Sequence, residues 1–182
     1  LESGQELEAD IIVTATGLNL VVLGGVQFAV DGQPVEFPRT YAYKGLMCSD
    51  VPNMILTFGY INASWTLRSD LTAEYMCRLI NHMDKTGLCQ CTPRLRNKDR
   101  NMQTRPWIDR FSSGYVQRVI HLFPKQGDRA PWLNPQNYRR DKKMILRGPI
   151  EDGVLVFSNR APAFREQDTS HTESEELTAP RA

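Results

Sequence analysis

The chain of 182 residues is 41% hydrophobic and 24% charged, with a formal net charge of +1, the composition of an ordinary soluble domain with its own core. Near-neutrality argues against a nucleic-acid binder or a membrane-surface protein, and no apolar run approaches the roughly 18 residues of a membrane span. The sequence opens at Leu1 with neither an initiator Met nor a basic and apolar leader, which reads as a fragment or processed product, not a secreted precursor.

In chain order, Asp10-Ile11-Ile12-Val13-Thr14-Ala15-Thr16-Gly17 is a short β-branched run ended by glycine. It predicts a strand buried on both faces of a parallel sheet. Phe28–Val30 and Val35–Phe37 flank Asp31-Gly32, a dipeptide suited to the positive φ angles of a tight β-hairpin. Met54–Phe58, between Pro52-Asn53 and Gly59, predicts a second buried strand.

A helix is expected from Ser64. Asn62, Ser64 and Thr66 all carry side-chain oxygens able to cap it. Leu67, Leu71, Tyr75 and Leu79 form an i, i+4 row with Met76, Ile80 and Met83 beside it, Glu74 and Arg78 pair on the wet face, and Gly87 closes the last turn. Residues 93–106 are polar and basic and predict a surface loop. Tyr115–Phe123 predicts a short helix stopped by Pro124, and Met144–Leu146 and Val154–Phe157 predict short strands. From Arg165 the chain is rich in Glu, Ser and Thr, the composition of a disordered tail.

Cys48, Cys77, Cys89 and Cys91 are too few and too irregular for a disulfide framework, and read as free thiols of a reducing cytoplasm. Cys89 and Cys91, even with His82, lack the C-x₂₋₄-C spacing and second ligand pair of a zinc site, so no metal is assigned. His82, His121 and His171 have no partner carboxylate or nucleophile in sequence and are given no catalytic role. Lys44 and the cluster Arg139-Arg140-Asp141-Lys142-Lys143 read as solvated surface.

Strand 54–58, Gly59, a short polar loop and a helix start together aim unpaired N–H groups and the positive end of a helix dipole at one spot. Such a spot suits a phosphate, a carboxylate or a ring carbonyl gaining negative charge, although any βα turn offers the same feature.

Several stretches carry a resemblance. Leu7–Gly17 resembles the alanine-threonine-glycine strand of two-dinucleotide flavoproteins. Ala42–Met47, Val51–Met54 and Gly59–Leu67, with Leu122–Gly127 and Asn137-Tyr138 further on, resemble the Baeyer–Villiger monooxygenases of the ethionamide-activating branch. The similarity covers residues 1 to about 160. It implies an α/β fold, the C-terminal part of a Rossmann-like flavoprotein with two dinucleotide-binding domains, containing a β-hairpin, a flavin-facing βα unit and an irregular extension. Residues 1–92 are then the end of the FAD domain, including the strand returning from the NADPH domain. Residues 93–164 are a C-terminal extension packed on it, and 165–182 the tail.

The resemblance also implies the chemistry. NADPH reduces FAD, and O₂ adds at flavin C4a to give a peroxyflavin that inserts oxygen into a ketone or oxidises a sulfide. It implies cofactor contacts at Thr16, Gly17, Gly59, Ser64, Trp65, Thr66 and Leu67, and substrate contacts at Asn62 and Trp65. The chain holds no G-x-G-x-x-G, so the pyrophosphate loops belong to a missing N-terminal part of the same flavoprotein. Hence no catalytic side chain is assigned, and the isolated piece is expected to be inactive.

Two other readings compete. A disulfide-reductase-like flavoprotein shares the strand, glycine and helix, but places an Asp after the glycine where this chain has Tyr60, and needs a redox cysteine pair. A non-catalytic binding or interaction module retaining the scaffold is the third reading, kept open by the absent fingerprint.

Overall fold

In the computed structural model, which describes residues 1–109 and 112–159, a 3₁₀ turn (Val22–Gly25) precedes the first strands, which flank the Asp31-Gly32 turn. Strands β1 (Ala29–Val30) and β2 (Gln33–Pro34) pair antiparallel, Val30 opposite Gln33. Asp31 and Gly32 hold φ angles of 50° and 78°, the two left-handed positions that such a turn demands. Val35 N–H donates to Phe28 O at 2.8 Å, extending the hairpin. Its second arm starts two residues earlier than expected, because the two-residue turn fixes the register. Phe37 enters a 3₁₀ turn (Phe37–Arg39) and meets Phe28 edge-on.

Strands β3 (Ala42–Tyr43) and β4 (Met47–Cys48) form a second hairpin, all four residues buried. Helix α1 (Trp65–Thr86) follows as expected. The Ser64 side chain accepts from Thr66 N–H, and Gly87, at φ 67°, closes the C-terminus. Its buried stripe is Arg68, Leu71, Thr72, Tyr75 and Leu79. Leu67 is half-buried, whereas Met76 and Ile80 face outward. Arg78 does not pair with Glu74; it donates to the carbonyl oxygens of Ile145 and Gly148.

Residues 93–106 are not a plain surface loop. Strand β5 (Gln90–Pro93) pairs antiparallel with β8 (Leu155–Ser158), Cys91 opposite Phe157, so the strand expected at 154–157 is present. Asp99 and Met102 are buried, and β6 (Arg105–Pro106) pairs with β7 (Lys125–Gln126). The helix expected over 115–123 is split into α2 (Gly114–Gln117) and a 3₁₀ turn (Ile120–Leu122).

Helix α3 (Tyr138–Arg147) replaces the strand expected at Met144–Leu146. The Asn137 side chain caps it by accepting from Arg140 N–H at 3.1 Å. Asp141 and Ile145, four residues apart, are its buried positions, a helical period that three consecutive apolar residues had masked.

Neither of the two expected buried strands forms. Residues 10–17 make no ladder, and Ile11, Ile12 and Val13 are 81%, 82% and 83% exposed. Residues 54–58 run as irregular, half-buried chain held by Leu56 N–H to Leu46 O at 2.7 Å. All four ladders among the described residues are antiparallel, and the one parallel pairing is an isolated bridge, Tyr41 to Lys125. A strand cannot satisfy its own N–H and C=O groups; no described segment lies alongside 10–17 to do so, and 54–58 meets its neighbour at Leu46 without entering a ladder.

The molecule is therefore α/β, with a main core that crosses the expected boundary at residue 92. Tyr43, Met47, Leu71, Tyr75 and Leu79 from one side pack with Trp132, Ile145 and Val154 from the other. No helix among the described residues is long and apolar enough to cross a membrane. The tail expected at 165–182 lies outside the described residues.

Candidate functional site

The start of α1 is anchored below and open above. Gly59 is buried, and a Cβ there would fall onto the indole of Trp65, so only glycine lets that ring lie across the backbone. Phe58 lies tilted against Trp65 at 5.1 Å between ring centres, and meets Trp107 and Phe123 edge-on. Ile61 N–H donates to Gln136 Oε1 at 3.1 Å, tying the loop to the segment before α3.

Asn62, Ser64 and Thr66 are exposed, and Trp65 remains 56% exposed. Ser64 Oγ sits 2.7 Å from Thr66 Oγ1 and takes the Thr66 N–H. The N–H groups of Trp65 and Leu67 have no acceptor within the helix. The first turn carries no acidic residue, so nothing in it cancels the positive end of the dipole.

The structure thus brings Gly59, Asn62, Ser64, Trp65, Thr66 and Leu67 into one ledge. It does not bring Thr16 and Gly17 there: both are exposed, and no hydrogen bond or ion pair joins them to it. Arg118 Nη2 holds the adjoining Leu18 carbonyl at 2.9 Å.

Directly under the ledge lies a charged group that the sequence pattern did not single out. Arg68, 1% exposed, donates to Lys44 O at 2.5 Å and lies 3.0 Å from Asp141 Oδ2. Tyr60 O–H donates to the same carboxylate oxygen at 2.8 Å. Burial raises the Asp141 carboxyl above the usual carboxylate range, against the pull of Arg68 and Tyr60. The available signal was Arg68 itself, a charge four residues before Thr72 on the stripe of Tyr75 and Leu79.

Lys44, expected on a solvated strand, is 3% exposed. Its Nζ meets Asp152 Oδ2 at 3.1 Å and the Tyr75 hydroxyl at 3.3 Å, and Tyr43 O–H donates to Asp152 at 2.6 Å. Burial lowers the ammonium from its ordinary value, with Asp152 opposing. Desolvation likewise raises both tyrosines. This set closes the 149–152 loop over the core and leaves no face open to a ligand.

A cleft of about 560 Å³ is lined by Tyr41, Asp50, Arg94, Leu95, Asp99, Arg100 and Met102, none of them a residue predicted for cofactor or substrate. Its charges are largely internal pairs, Arg94 with Asp50 at 2.5 Å and Asp99 with Arg96 at 2.6 Å. His82 lies 3.2 Å from Glu151 and His121 is exposed, while His171 lies outside the described residues. The four cysteines are unpaired. No group of three or more His, Cys, Asp or Glu among the described residues could hold a metal.

Sequence comparison finds relatives along most of the chain. It is 49% identical over 160 residues to the "FAD-containing monooxygenase EthA" of Mycobacterium tuberculosis, covering 88% of the chain and 32% of that protein. It is 47% identical over 164 residues to the "Probable FAD-binding monooxygenase AlmA" of Acinetobacter sp, again 88% and 32%. A third relative, the "Putative FAD-containing monooxygenase MymA" of Mycobacterium tuberculosis, is 44% identical over 160 residues with the same coverage. The chain thus spans about a third of the length of these relatives. No family model and no solved structure matches.

Proposed function

We propose that this chain, a homologue of the FAD-containing monooxygenases, forms the part of such an enzyme that meets the pyrimidine edge of the flavin and borders the substrate. The observation that carries this is the start of α1: capped by Ser64, open to solvent and free of acidic residues in its first turn. Two unpaired N–H groups and the dipole together stabilise negative charge on a ring carbonyl or ring nitrogen. These residues fit the ring end of FAD. The chain has no G-x-G-x-x-G, so the pyrophosphate end is held by other parts of the enzyme.

When bound, FAD supplies the redox chemistry, taking electrons from NADPH and delivering them to O₂, with Baeyer–Villiger oxygen insertion into a ketone or oxidation of a sulfide as the outcome. The protein's part is placement. Ser64 fixes the first turn, so the N–H groups of Trp65 and Leu67 stay preorganised with the Thr66 backbone between them. Gly59 lets the Trp65 indole lie low, where its exposed face lines an apolar substrate wall. Asn62 offers an amide to a substrate carbonyl. In the complete enzyme, where residues 10–17 gain neighbouring strands, Thr16 and Gly17 reach the cofactor. In this arrangement residues 1–92 complete a Rossmann-like FAD domain, 93–164 brace it, and the enzyme works in the cytoplasm.

Trp65→Ala in the complete enzyme tests this. A pocket-lining Trp65 changes the relative turnover across a panel of ketones and sulfides, while flavin content and its reduction by NADPH stay near wild type. A loss of about 3–5 kcal/mol in stability with an unchanged substrate ranking identifies a core anchor instead and removes the assignment.

A further inference from the structure

The two residues that bracket the ledge converge on one atom. Tyr60, at its start, donates its O–H to Asp141 Oδ2 at 2.8 Å, and Arg68, just past it, places Nη1 3.0 Å from the same oxygen. All three side chains are buried, and the Arg68 guanidinium lies 5.9 Å from the Tyr60 ring centre. Asp141 is the one member of the charged run 139–143 that α3 turns inward. The segment before α3 adds a second tie, Ile61 N–H to Gln136 Oε1. On its other side Arg68 Nη2 donates to Lys44 O, beside Gly45, where a Cβ would stand 2.7 Å from that nitrogen. The ledge is thus clasped from both ends by one carboxylate of α3.

A clasp alone does not call for charges. A buried ion pair costs the desolvation of both partners, and an apolar pair of similar volume holds two helices together as well. What an apolar pair cannot supply is a full positive charge three residues past Trp65, about 4.5 Å further along the helix axis. The open end of a helix dipole is equivalent to roughly half a charge, so Arg68 outweighs it. Arg68 enters no other ion pair among the described residues, so Asp141 alone sets how much of that charge is felt at the ledge.

We propose that Asp141 is the positioning residue of the ledge: it clasps Tyr60 and Arg68 and sets the positive charge that the first turn of α1 presents, in the complete enzyme, to the flavin ring. The last clause rests on the flavin-facing reading of the ledge given above.

Trp65 reports on the ledge without flavin. It is 56% exposed, against 3% for Trp107 and 0% for Trp132, so collisional quenching of tryptophan emission reads Trp65. Acrylamide, which is neutral, measures its exposure; iodide, an anion, measures exposure and local charge together. In the chain, Asp141→Asn raises the ratio of iodide to acrylamide quenching about twofold, a field effect reduced by the salt that iodide brings. Arg68→Gln lowers the ratio, and Arg68→Lys keeps it near wild type. In the complete enzyme with flavin bound, reduction adds negative charge to the ring, so Asp141→Asn favours the reduced form. The shift is on the order of tenfold, the Coulomb effect of a unit charge about 10 Å away in a protein site, or about 30 mV upward in a two-electron midpoint potential. Arg68→Gln moves the potential downward. An unchanged quenching ratio in a D141N chain that melts cooperatively overturns the proposal. Where that variant does not fold, equal ratios for R68Q and R68K overturn it. A raised ratio with an unmoved potential supports the hold of Asp141 on the ledge and overturns the flavin-facing reading instead.

Discussion

The run Asp10–Gly17 and the helix Trp65–Thr86 are both apolar segments with clear patterns, yet they end differently. Residues 65–86 form a capped helix whose inner stripe is buried, while Ile11, Ile12 and Val13 stand in solvent. A helix closes its backbone hydrogen bonds within its own sequence and needs a neighbour only for its apolar face. Here β3, β8 and α3 supply that neighbour. A strand needs a second strand for every N–H and C=O, and the described residues offer none beside 10–17. The same distinction explains residues 54–58, which are half-buried without entering a ladder.

The comparison breaks most visibly at the joint between α1 and α3. Asp141→Ala leaves the Arg68 guanidinium buried without its carboxylate, a defect costing about 3–5 kcal/mol, measurable by urea denaturation. Replacing the pair together with Met at 68 and Leu at 141 should recover much of the loss, because a buried ion pair and an apolar pair of similar volume are nearly equivalent. A loss below about 1 kcal/mol for the single change would show that Arg68 finds water, and that the helix is less enclosed than its burial indicates.

What was legible in the sequence follows the same division. The α1 boundaries were readable because Ser64 and Gly87 are local signals, and the Asp31-Gly32 hairpin because two residues set its turn. The ledge at the start of α1 was readable for the same reason: Gly59 through Leu67 is a contiguous stretch. Long-range partners were not readable. Arg68 finds Asp141 across 73 positions and Lys44 finds Asp152 across 108, and in both cases burial turns a residue of ordinary surface type inward. Met144–Leu146 misled because three consecutive apolar residues fit either period, and only the Asn137 cap and the spacing of Asp141 and Ile145 decide for a helix.

A smaller effect belongs to Asp99, which anchors the segment taken for a loop. Its side chain is 1% exposed and accepts from Arg96 Nε, Arg96 Nη2 and the Arg96 backbone N–H. The Arg96 hydrogen bond holds the carboxyl below its ordinary value. A depressed folded-state value means a stabilising contribution that is complete above the unfolded pKa, near 4, and lost as pH falls through the lower folded value. Asp99→Asn should cost about 1.5–3 kcal/mol at pH 7 and flatten the acid limb of stability below about pH 4. An acid profile superimposing on wild type would remove Asp99 from the list of anchors.

The smallest effect is the most informative about the N-terminal run. In this chain Ile12 is 82% exposed, so Ile12→Asn removes no packing and buries no amide, and its effect on unfolding should stay within about 0.5 kcal/mol. In a complete monooxygenase of the length of its relatives, of which this chain matches 32%, the proposed return strand would have sheet on both sides. The same change would then place an amide in an apolar layer and remove a buried side chain, costing about 2–5 kcal/mol and loosening the flavin with it. Melting curves of both forms, with flavin release followed in the longer one, separate the two environments. Matching small shifts would mean that 10–17 is surface chain in either setting, and Thr16 and Gly17 would lose their proposed place beside the cofactor. A large shift confined to the longer protein would mean that one sequence is a strand or an open segment according to its neighbours, whereas α1 is a helix in both.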